Sequence, residues 1–343
     1  MIVIIYEAMM SDIRSPVSWN NKYNLRLLRL WLFIQIVLLF FLFFTFSLVL
    51  LHFYVNGDQI VYRIFYNQIS GLDFFEAYLL AKSIISASEP VSIFILWLGS
   101  SLGIDKDIYI SAWNAVLLLL FWRFCEKSHV KPFVFFLIVL NFYMLVLLTG
   151  AERLKFGYIF ILFVPFLSNQ IKVFGFLIAG LAHFQMLLIL PSIFIASQYN
   201  EISRAIRYGL ISKPLLYFLL LSITFSSFLF LGFSDALSYK FASYFDNTKN
   251  IYSLINVILL TVAALLATSN WKRMLFSITP FYVLIIMLGG ERVNMIAVTI
   301  VLWLLISERR IGHPVSLALL GYFLLKSFGF MYRTVLFGDA FSN

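Results

Sequence analysis

Charged residues are scarce in this chain, and their scarcity excludes the soluble protein classes. Asp, Glu, Lys and Arg make up 12% of the 343 residues, whereas 62% are hydrophobic. A soluble domain has about a quarter of its residues charged, which keeps its surface in water. The composition therefore excludes a soluble globule, a fibrous protein and a disordered chain. It predicts an all-α, polytopic integral membrane bundle.

Cysteine and metal-ligating side chains are also rare. The single cysteine, Cys125, allows no internal disulfide, and the four histidines show no HExxH or other metal-ligand spacing. The sequence contains no P-loop, no Rossmann glycine pattern and no GxSxG elbow. We therefore expect no metal, no nucleotide and no other cofactor.

Long apolar runs fill most of the chain. A helix of about 20 apolar residues crosses the hydrocarbon layer of a bilayer. Because the backbone must be paired in lipid, these runs predict a single membrane domain over residues 1–343. It would contain about 10–11 transmembrane or re-entrant helices. The candidate spans are 27–53, 91–104, 108–125, 132–149, 155–168, 173–196, 214–233, 251–268, 274–288, 293–306 and 314–331.

Basic residues cluster between the apolar runs and predict the orientation. Loops rich in Lys and Arg stay in the cytoplasm, so residues 1–26, with Arg14 and Lys22, form a cytoplasmic N-terminal segment. Segments 54–89 and 234–250 have few basic residues and are predicted to be periplasmic loops. We therefore attribute the net charge of +9 to basic residues that set the membrane topology and contact anionic lipids. It does not indicate binding to nucleic acid.

Two segments do not fit a simple alternation of crossings. Residues 74–107 and 155–197 each contain a short apolar piece and internal proline, namely Pro90, Pro165 and Pro191. Broken or re-entrant helices are tolerated where they line a cavity in the protein, and we expect them in both segments. The alternative is eleven plain spans with two loops that violate the charge rule.

Glu-Arg follows glycine, once directly and once after one alanine, at two junctions between apolar helices. The first junction is Thr149-Gly150-Ala151-Glu152-Arg153, and the second is Gly289-Gly290-Glu291-Arg292. Glycine permits a tight turn, and an Arg in the first helical turn can join the free amides in binding an anion. Arg also binds phosphate bidentately, so Arg153 and Arg292 could together hold a pyrophosphate. The purely structural alternative is an ion pair within each motif, or an Arg whose side chain reaches to the membrane interface.

Two further ionisable residues lie in or beside apolar runs. His183 is about ten residues into the span 173–196, near the midplane if the helix is intact. It could act as a general base, a proton relay or a phosphate ligand. Glu89 precedes Pro90, which suits the first turn of a helix. Glu89 is either a catalytic acid or base or simply a partner of the helix dipole.

Tyrosine and carboxylate side chains recur on the predicted periplasmic side. Asp58, Tyr62 and Tyr66 are spaced to share one face of a helix. Tyr244 lies in a similar aromatic stretch. Such faces suit sugar binding, although tyrosines at a membrane interface have the same sequence pattern.

In order and spacing, these landmarks resemble the EpsG-like branch of the Wzy-type polysaccharide polymerases. The resemblance covers roughly residues 50–195 and rests on Asp58, Tyr62, Glu89-Pro90, Arg153 and His183. It implies a bacterial inner-membrane glycosyltransferase whose active site faces the periplasm. Its donor and acceptor would be undecaprenyl-pyrophosphate-linked oligosaccharide repeat units, and its product O-antigen or capsular polysaccharide.

The resemblance also implies residue roles. Arg153 and Arg292 would bind the donor pyrophosphate, and His183 or Glu89 would assist or take the acceptor proton. Asp58, Tyr62 and Tyr244 could contact sugars, and a chain-length regulator is a possible partner. The nearest alternative is a flippase or transporter for the same lipid-linked oligosaccharides, which also needs Arg in a polar cavity. A membrane acyltransferase and a purely structural subunit are weaker alternatives.

Overall fold

The computed structural model describes residues 22–167, 172–213, 215–217, 220, 250–288 and 290–340. Within these ranges the regular structure is helical and contains no strand, so the predicted all-α class is confirmed for this part of the chain. All but the last residue of the predicted loop 234–250, most of the candidate span 214–233 and most of the N-terminal segment 1–26 lie outside the described residues.

The helices are numbered here in chain order. The first five are α1 (Lys22–Phe53), α2 (Asp58–Gln68), α3 (Phe74–Ile84), α4 (Pro90–Ser101) and α5 (Lys106–Lys127). The next six are α6 (Pro132–Val139), α7 (Phe142–Thr149), α8 (Glu152–Phe163), α9 (Lys172–Ala182), α10 (Ile189–Ser197) and α11 (Tyr199–Tyr208). The last four in the described ranges are α12 (Asn250–Ala267), α13 (Trp271–Leu288), α14 (Gly290–Ser307) and α15 (Pro314–Phe337).

Several of these helices are apolar enough to enter a membrane. Among the described residues, three are also long enough to cross one: Leu30–Phe53 of α1, the whole of α5 and the whole of α15. The bent pair α6 and α7 passes the same test when taken together, which makes up to four. These helices make membrane association plausible, while the number of crossings stays open.

The chain divides into two compact units. Unit 1 comprises Met1–Lys127, Ile138–Met186 and Leu324–Asn343, and unit 2 comprises Ser128–Leu137 and Leu187–Phe323. In unit 1, α1 and α8 pack on α5, and α9 packs between α8 and α4. In unit 2, α12, α13 and α14 pack on one another, and α10 packs on α13 and α14.

The segment 54–89, predicted as a loop, contains the two helices α2 and α3. The Asp73 side chain accepts a hydrogen bond from the backbone N–H of Glu76, and the Glu76 side chain accepts one from the backbone N–H of Asp73. This capping box starts α3. Both helices are only 11 residues long, about half of what a membrane span needs. A search for long apolar runs therefore passes over them.

The start of α2 is attached to the other end of the chain within unit 1. The Tyr54 hydroxyl donates to Asp339 Oδ1 at 3.1 Å. The backbone N–H groups of Val55 and Asn56 both donate to the carbonyl of Gly338, at 3.0 and 2.8 Å. These contacts fix the residues that lead into α2.

The segment 155–197 is broken at two places, as the prolines and short runs indicated. The helix α8 ends at Phe163 and continues as a 3-10 turn, Val164–Phe166, that contains Pro165. The helix α9 ends at Ala182 and is followed by a second 3-10 turn, Phe184–Leu188. Pro191 lies in the first turn of α10, where a missing N–H costs little.

Gly157 of α8 lies against Met186 of the second 3-10 turn. A Cβ built at Gly157 would overlap the side chain of Met186, which is itself buried. By contrast, Gly150 has an ordinary helical backbone, and a Cβ there would meet the Tyr54 hydroxyl at 3.5 Å, a normal contact. The two glycines therefore allow a matched comparison.

We expect Gly157→Ala to destabilise the protein by about 1–3 kcal/mol, the usual cost of overpacking a well-packed core. Gly150→Ala should change stability little, because its backbone and its surroundings accept a methyl group. Thermal unfolding of the two variants in detergent measures the difference. Equal unfolding temperatures would contradict the close approach at Gly157. Met186→Ala added to Gly157→Ala should recover part of the loss.

Candidate functional site

Glu89 stands at the centre of a buried polar cluster in unit 1. It is the residue before α4, and Pro90 occupies the first helical position, as predicted. Its side chain is 7% exposed. One carboxylate oxygen, Oε2, accepts from Arg153 Nη1 at 2.8 Å, and the other, Oε1, contacts His183 Nδ1 at 2.9 Å. Glu89, Arg153, His183, Tyr62 and Gln185 are called the Glu89 cluster below.

Arg153 enters the cluster from the first turn of α8, where the sequence analysis expected it. Its Nε donates to the Tyr62 hydroxyl at 3.0 Å, in addition to the bond from Nη1 to Glu89. Its sequence neighbour Glu152 pairs with Lys106 at 2.6 Å. Glu152 and Arg153 therefore pair with other residues and not with each other, so the alternative of an ion pair within the motif is wrong for the first motif. The turn before α8 also does not depend on glycine, since Gly150 has right-handed helical angles.

His183 lies at a break and not in an intact helix. Because α9 ends at Ala182, a midplane depth does not follow from counting residues along the span. The Ala182 carbonyl accepts a hydrogen bond from the Ser92 hydroxyl of α4, which ties this end of α9 to α4. The second ring nitrogen of His183, Nε2, lies 3.1 Å from Gln185 Oε1.

The surroundings of Glu89 keep it ionised. Burial works against the charged carboxylate, but the hydrogen bond with His183 and the positive charge of Arg153 outweigh it. Together they lower the pKa of Glu89 to about 2. A carboxylate with so low a pKa is a weak base near neutral pH. Glu89 is therefore suited to orienting His183 and Arg153, and His183 is the better candidate for accepting a proton.

A second buried network lies beside the cluster and was not predicted. Lys106 Nζ donates to Gln59 Oε1 and to Glu152 Oε1, both at 2.6 Å. Gln59 Nε2 also donates to Glu152 Oε1, at 2.9 Å, and to the Thr149 carbonyl. Lys155 donates to a backbone carbonyl of α7. Gln59, Lys106, Glu152 and Lys155, called the Glu152 network, connect the starts of α2, α5 and α8.

The Glu152 network is almost completely closed to solvent. Glu152 and Lys155 are 0% exposed, and Lys106 is 5% exposed. Among the described residues, Glu152 Oε2 is buried without a hydrogen-bond partner. The sequence does carry a signal for Lys155, which is an ionisable residue inside a candidate span and so meets the rule applied to His183. That rule gives no signal for Lys106, which comes just before the candidate span 108–125, or for Gln59, which lies in the predicted loop 54–89.

The predicted sugar-binding face of α2 is divided between the surface and the interior. Asp58 is the first residue of α2 and is exposed, whereas Tyr62 and Tyr66 are buried. The Tyr62 hydroxyl accepts from Arg153, and the Tyr66 hydroxyl donates to the Ile104 carbonyl at 3.0 Å. Asp58, Tyr62 and Tyr66 do lie on one helix, but the two tyrosines do not form one open face with Asp58.

The two remaining predicted site residues are Arg292 and Tyr244, and the structure describes only the backbone of Arg292. The second Glu-Arg motif opens α14, which begins at Gly290, so Arg292 lies in a first helical turn as expected. Its side chain is outside the described part of the structure. Tyr244 lies outside the described residues altogether. The predicted convergence of Arg153 and Arg292 stays a prediction.

No family model, no curated protein and no solved structure matches this chain.

Proposed function

We propose that this chain polymerises undecaprenyl-pyrophosphate-linked oligosaccharide repeat units into O-antigen or capsular polysaccharide. It would be a polytopic bundle of about 10–11 membrane-spanning or re-entrant helices. The reaction would take place at the periplasmic face of a bacterial inner membrane. The observation that carries the proposal is the Glu89 cluster. A carboxylate, a guanidinium and an imidazole from three separate segments meet in one buried network.

The donor of this reaction needs a cation for its leaving group. The acceptor hydroxyl oxygen forms a bond to the anomeric carbon of the donor, and the bond from that carbon to the phosphate oxygen breaks. The pyrophosphate leaves with the electron pair, so negative charge grows on its oxygens. A preorganised Arg in a site with little water stabilises such charge strongly. Among the described residues Arg153 has two hydrogen-bond partners, Glu89 and Tyr62, for the five N–H groups of its guanidinium.

The acceptor hydroxyl must lose a proton in the same reaction, and His183 is suited to take it. With Nδ1–H donating to Glu89, the neutral imidazole has its lone pair on Nε2. Because Gln185 Oε1 turns only lone pairs toward Nε2, the acceptor hydroxyl must first displace this oxygen, and the acceptor proton then passes to Nε2. The resulting imidazolium then donates to Glu89 from one nitrogen and to Gln185 Oε1 from the other. Both contacts have hydrogen-bond distances, 2.9 and 3.1 Å.

The other predicted residues keep supporting roles in the proposal. Tyr62 positions Arg153 through its hydroxyl, and exposed Asp58 is available for sugar. Arg292 and Tyr244 keep the roles that the sequence analysis gave them, as predicted ligands of the pyrophosphate and of sugar. The lipid tails of donor and acceptor would enter between helices, and no metal or nucleotide is required, because the lipid pyrophosphate is already an activated donor.

Arg153→Ala in the native host tests the proposal. If the chain is a polymerase, single-unit lipopolysaccharide should remain and the long-chain ladder should disappear on a gel. Arg292→Ala should have the same effect. The matched control is Arg123→Ala, because Arg123 pairs with Glu126 one turn along its own helix. Arg123 is not part of the Glu89 cluster, so this variant should keep the ladder.

Two other outcomes would overturn parts of the proposal. Loss of the single unit as well as the ladder would favour the flippase. A normal ladder in Arg153→Ala, with normal protein levels in the membrane, would remove the Glu89 cluster from the mechanism.

A further inference from the structure

The helix α11 is strongly two-sided, and none of its residues is buried. Tyr199, Ile202 and Ile206 recur at helical spacing and lie on one side. Asn200, Arg204 and Arg207 recur on the other. Tyr199, at the start of α11, packs against Phe276 of α13, whereas Ile206, near the end of α11, is 69% exposed. The later part of the apolar side is therefore not used to cover the core of unit 2.

The length of α11 limits what can cover this side. Ten residues make a helix of about 15 Å, half the thickness of the hydrocarbon layer. The helix ends at Gly209, which has a left-handed backbone with φ 69°. A helix of this length does not cross a bilayer, but it can lie along its surface.

The charge on and after α11 indicates the chemistry of the partner. Residues 199–213 contain three cations, Arg204, Arg207 and Lys213, and one carboxylate, Glu201. The segment therefore has two positive charges in excess. Arg204 contacts Glu201 at 3.2 Å, and its side chain is still 55% exposed. Leu210 and Ile211, directly after the helix, are more than half exposed as well. Apolar side chains bordered by exposed cations match the boundary between acyl chains and anionic headgroups.

We propose that α11 is an interfacial helix that binds the anionic headgroup layer of the membrane, with Ile202 and Ile206 inserted among the upper acyl chains. Arg204, Arg207 and Lys213 then contact lipid phosphates. The inference does not depend on the proposed enzymatic activity, because it uses only the described residues of unit 2.

Site-directed fluorescence tests this placement in the full chain. The only native cysteine, Cys125, is buried, so a Cys125→Ala background accepts one labelled cysteine at a time. The environment-sensitive dye bimane is attached at Ile206→Cys, with Asn200→Cys as the matched control on the polar side. The protein is reconstituted in nanodiscs of phosphatidylglycerol and, separately, of phosphatidylcholine.

We expect lipids brominated near the headgroup end of the chain to quench the dye at residue 206 at least threefold more than at residue 200. Aqueous iodide should show the reverse order. Arg204→Gln with Arg207→Gln should raise iodide quenching at residue 206 in phosphatidylglycerol.

Equal access of iodide to both positions would overturn the proposal, since the helix would then lie in water. Protection of both positions from both quenchers would indicate a protein partner and would also overturn it. Quenching at residue 206 mainly by lipids brominated at the methyl end of the acyl chain would place the helix too deep for an interfacial helix. Should Ile206→Cys fail to give a monodisperse protein, Ile202→Cys carries the same test.

Discussion

Glu152→Leu is expected to be among the most destabilising single substitutions in unit 1. Removing one partner of a buried ion pair costs about 3–5 kcal/mol, because the other charge stays buried without compensation. Here two lysines, Lys106 and Lys155, would lose the carboxylate, and both are nearly or fully closed to solvent. Heating in detergent, followed by size-exclusion chromatography of the surviving protein, measures the loss.

The order in which substitutions in the Glu152 network lower stability tests the network more sharply than the loss caused by any one of them. Lys106→Met should cost less than Glu152→Leu, because the positive charge of Lys155, three residues along α8, still acts on the carboxylate. The matched control is Glu126→Gln, which breaks an ion pair with Arg123 at 2.5 Å in which the Glu126 side chain is 49% exposed. Exposed pairs contribute about 0–1 kcal/mol. If Glu152→Leu were no worse than Glu126→Gln, the buried network would not exist as described.

His183→Gln is expected to reduce chain extension by a factor of about 10²–10⁴, the usual contribution of a general base. Glutamine is similar in size and can still contact Glu89, so the fold should be kept while the proton acceptor is lost. The measurement is the rate of ladder growth from purified lipid-linked repeat units in proteoliposomes.

Two controls separate a catalytic role of His183 from a structural one. His52→Gln changes an exposed histidine at the end of α1 and should leave the rate unchanged. The unfolding temperature of His183→Gln should stay close to that of the wild type. A rate within twofold of the wild type would reject His183 as the base, and a parallel loss of stability would make it a packing residue.

The sequence predicts the helical architecture through two physical rules. Lipid requires long apolar helices, and proline limits where they can continue, so α1, α5 and the breaks at Pro90 and Pro165 follow from local sequence. The rules fail for α2 and α3, which are short and partly polar. Their burial depends on packing against α4, and such tertiary contacts leave no periodic pattern as strong as that of a span.

The candidate site also combines residues that local sequence reveals with contacts that only tertiary packing determines. Glu89, Arg153 and His183 stand out in sequence because ionisable residues are rare in apolar surroundings. That they meet could not be read from the chain, since Glu89 and His183 are 94 residues apart. The pairing of Glu152 with Lys106 instead of Arg153 was equally hidden. It depends on where α5 begins relative to α8, which is a property of the packed unit.

The attachment of Tyr54 and Asn56 to the residues after α15 has a consequence for biosynthesis. Tyr54 and Asp339 are 285 residues apart, so this contact cannot form until the ribosome has passed residue 339. The helices between them are already synthesised while α2, which carries Tyr62 and Gln59, still lacks its anchor. Unit 1 is therefore completed only after α15 has been made, and nascent chains stalled before α15 would leave the start of α2 unattached.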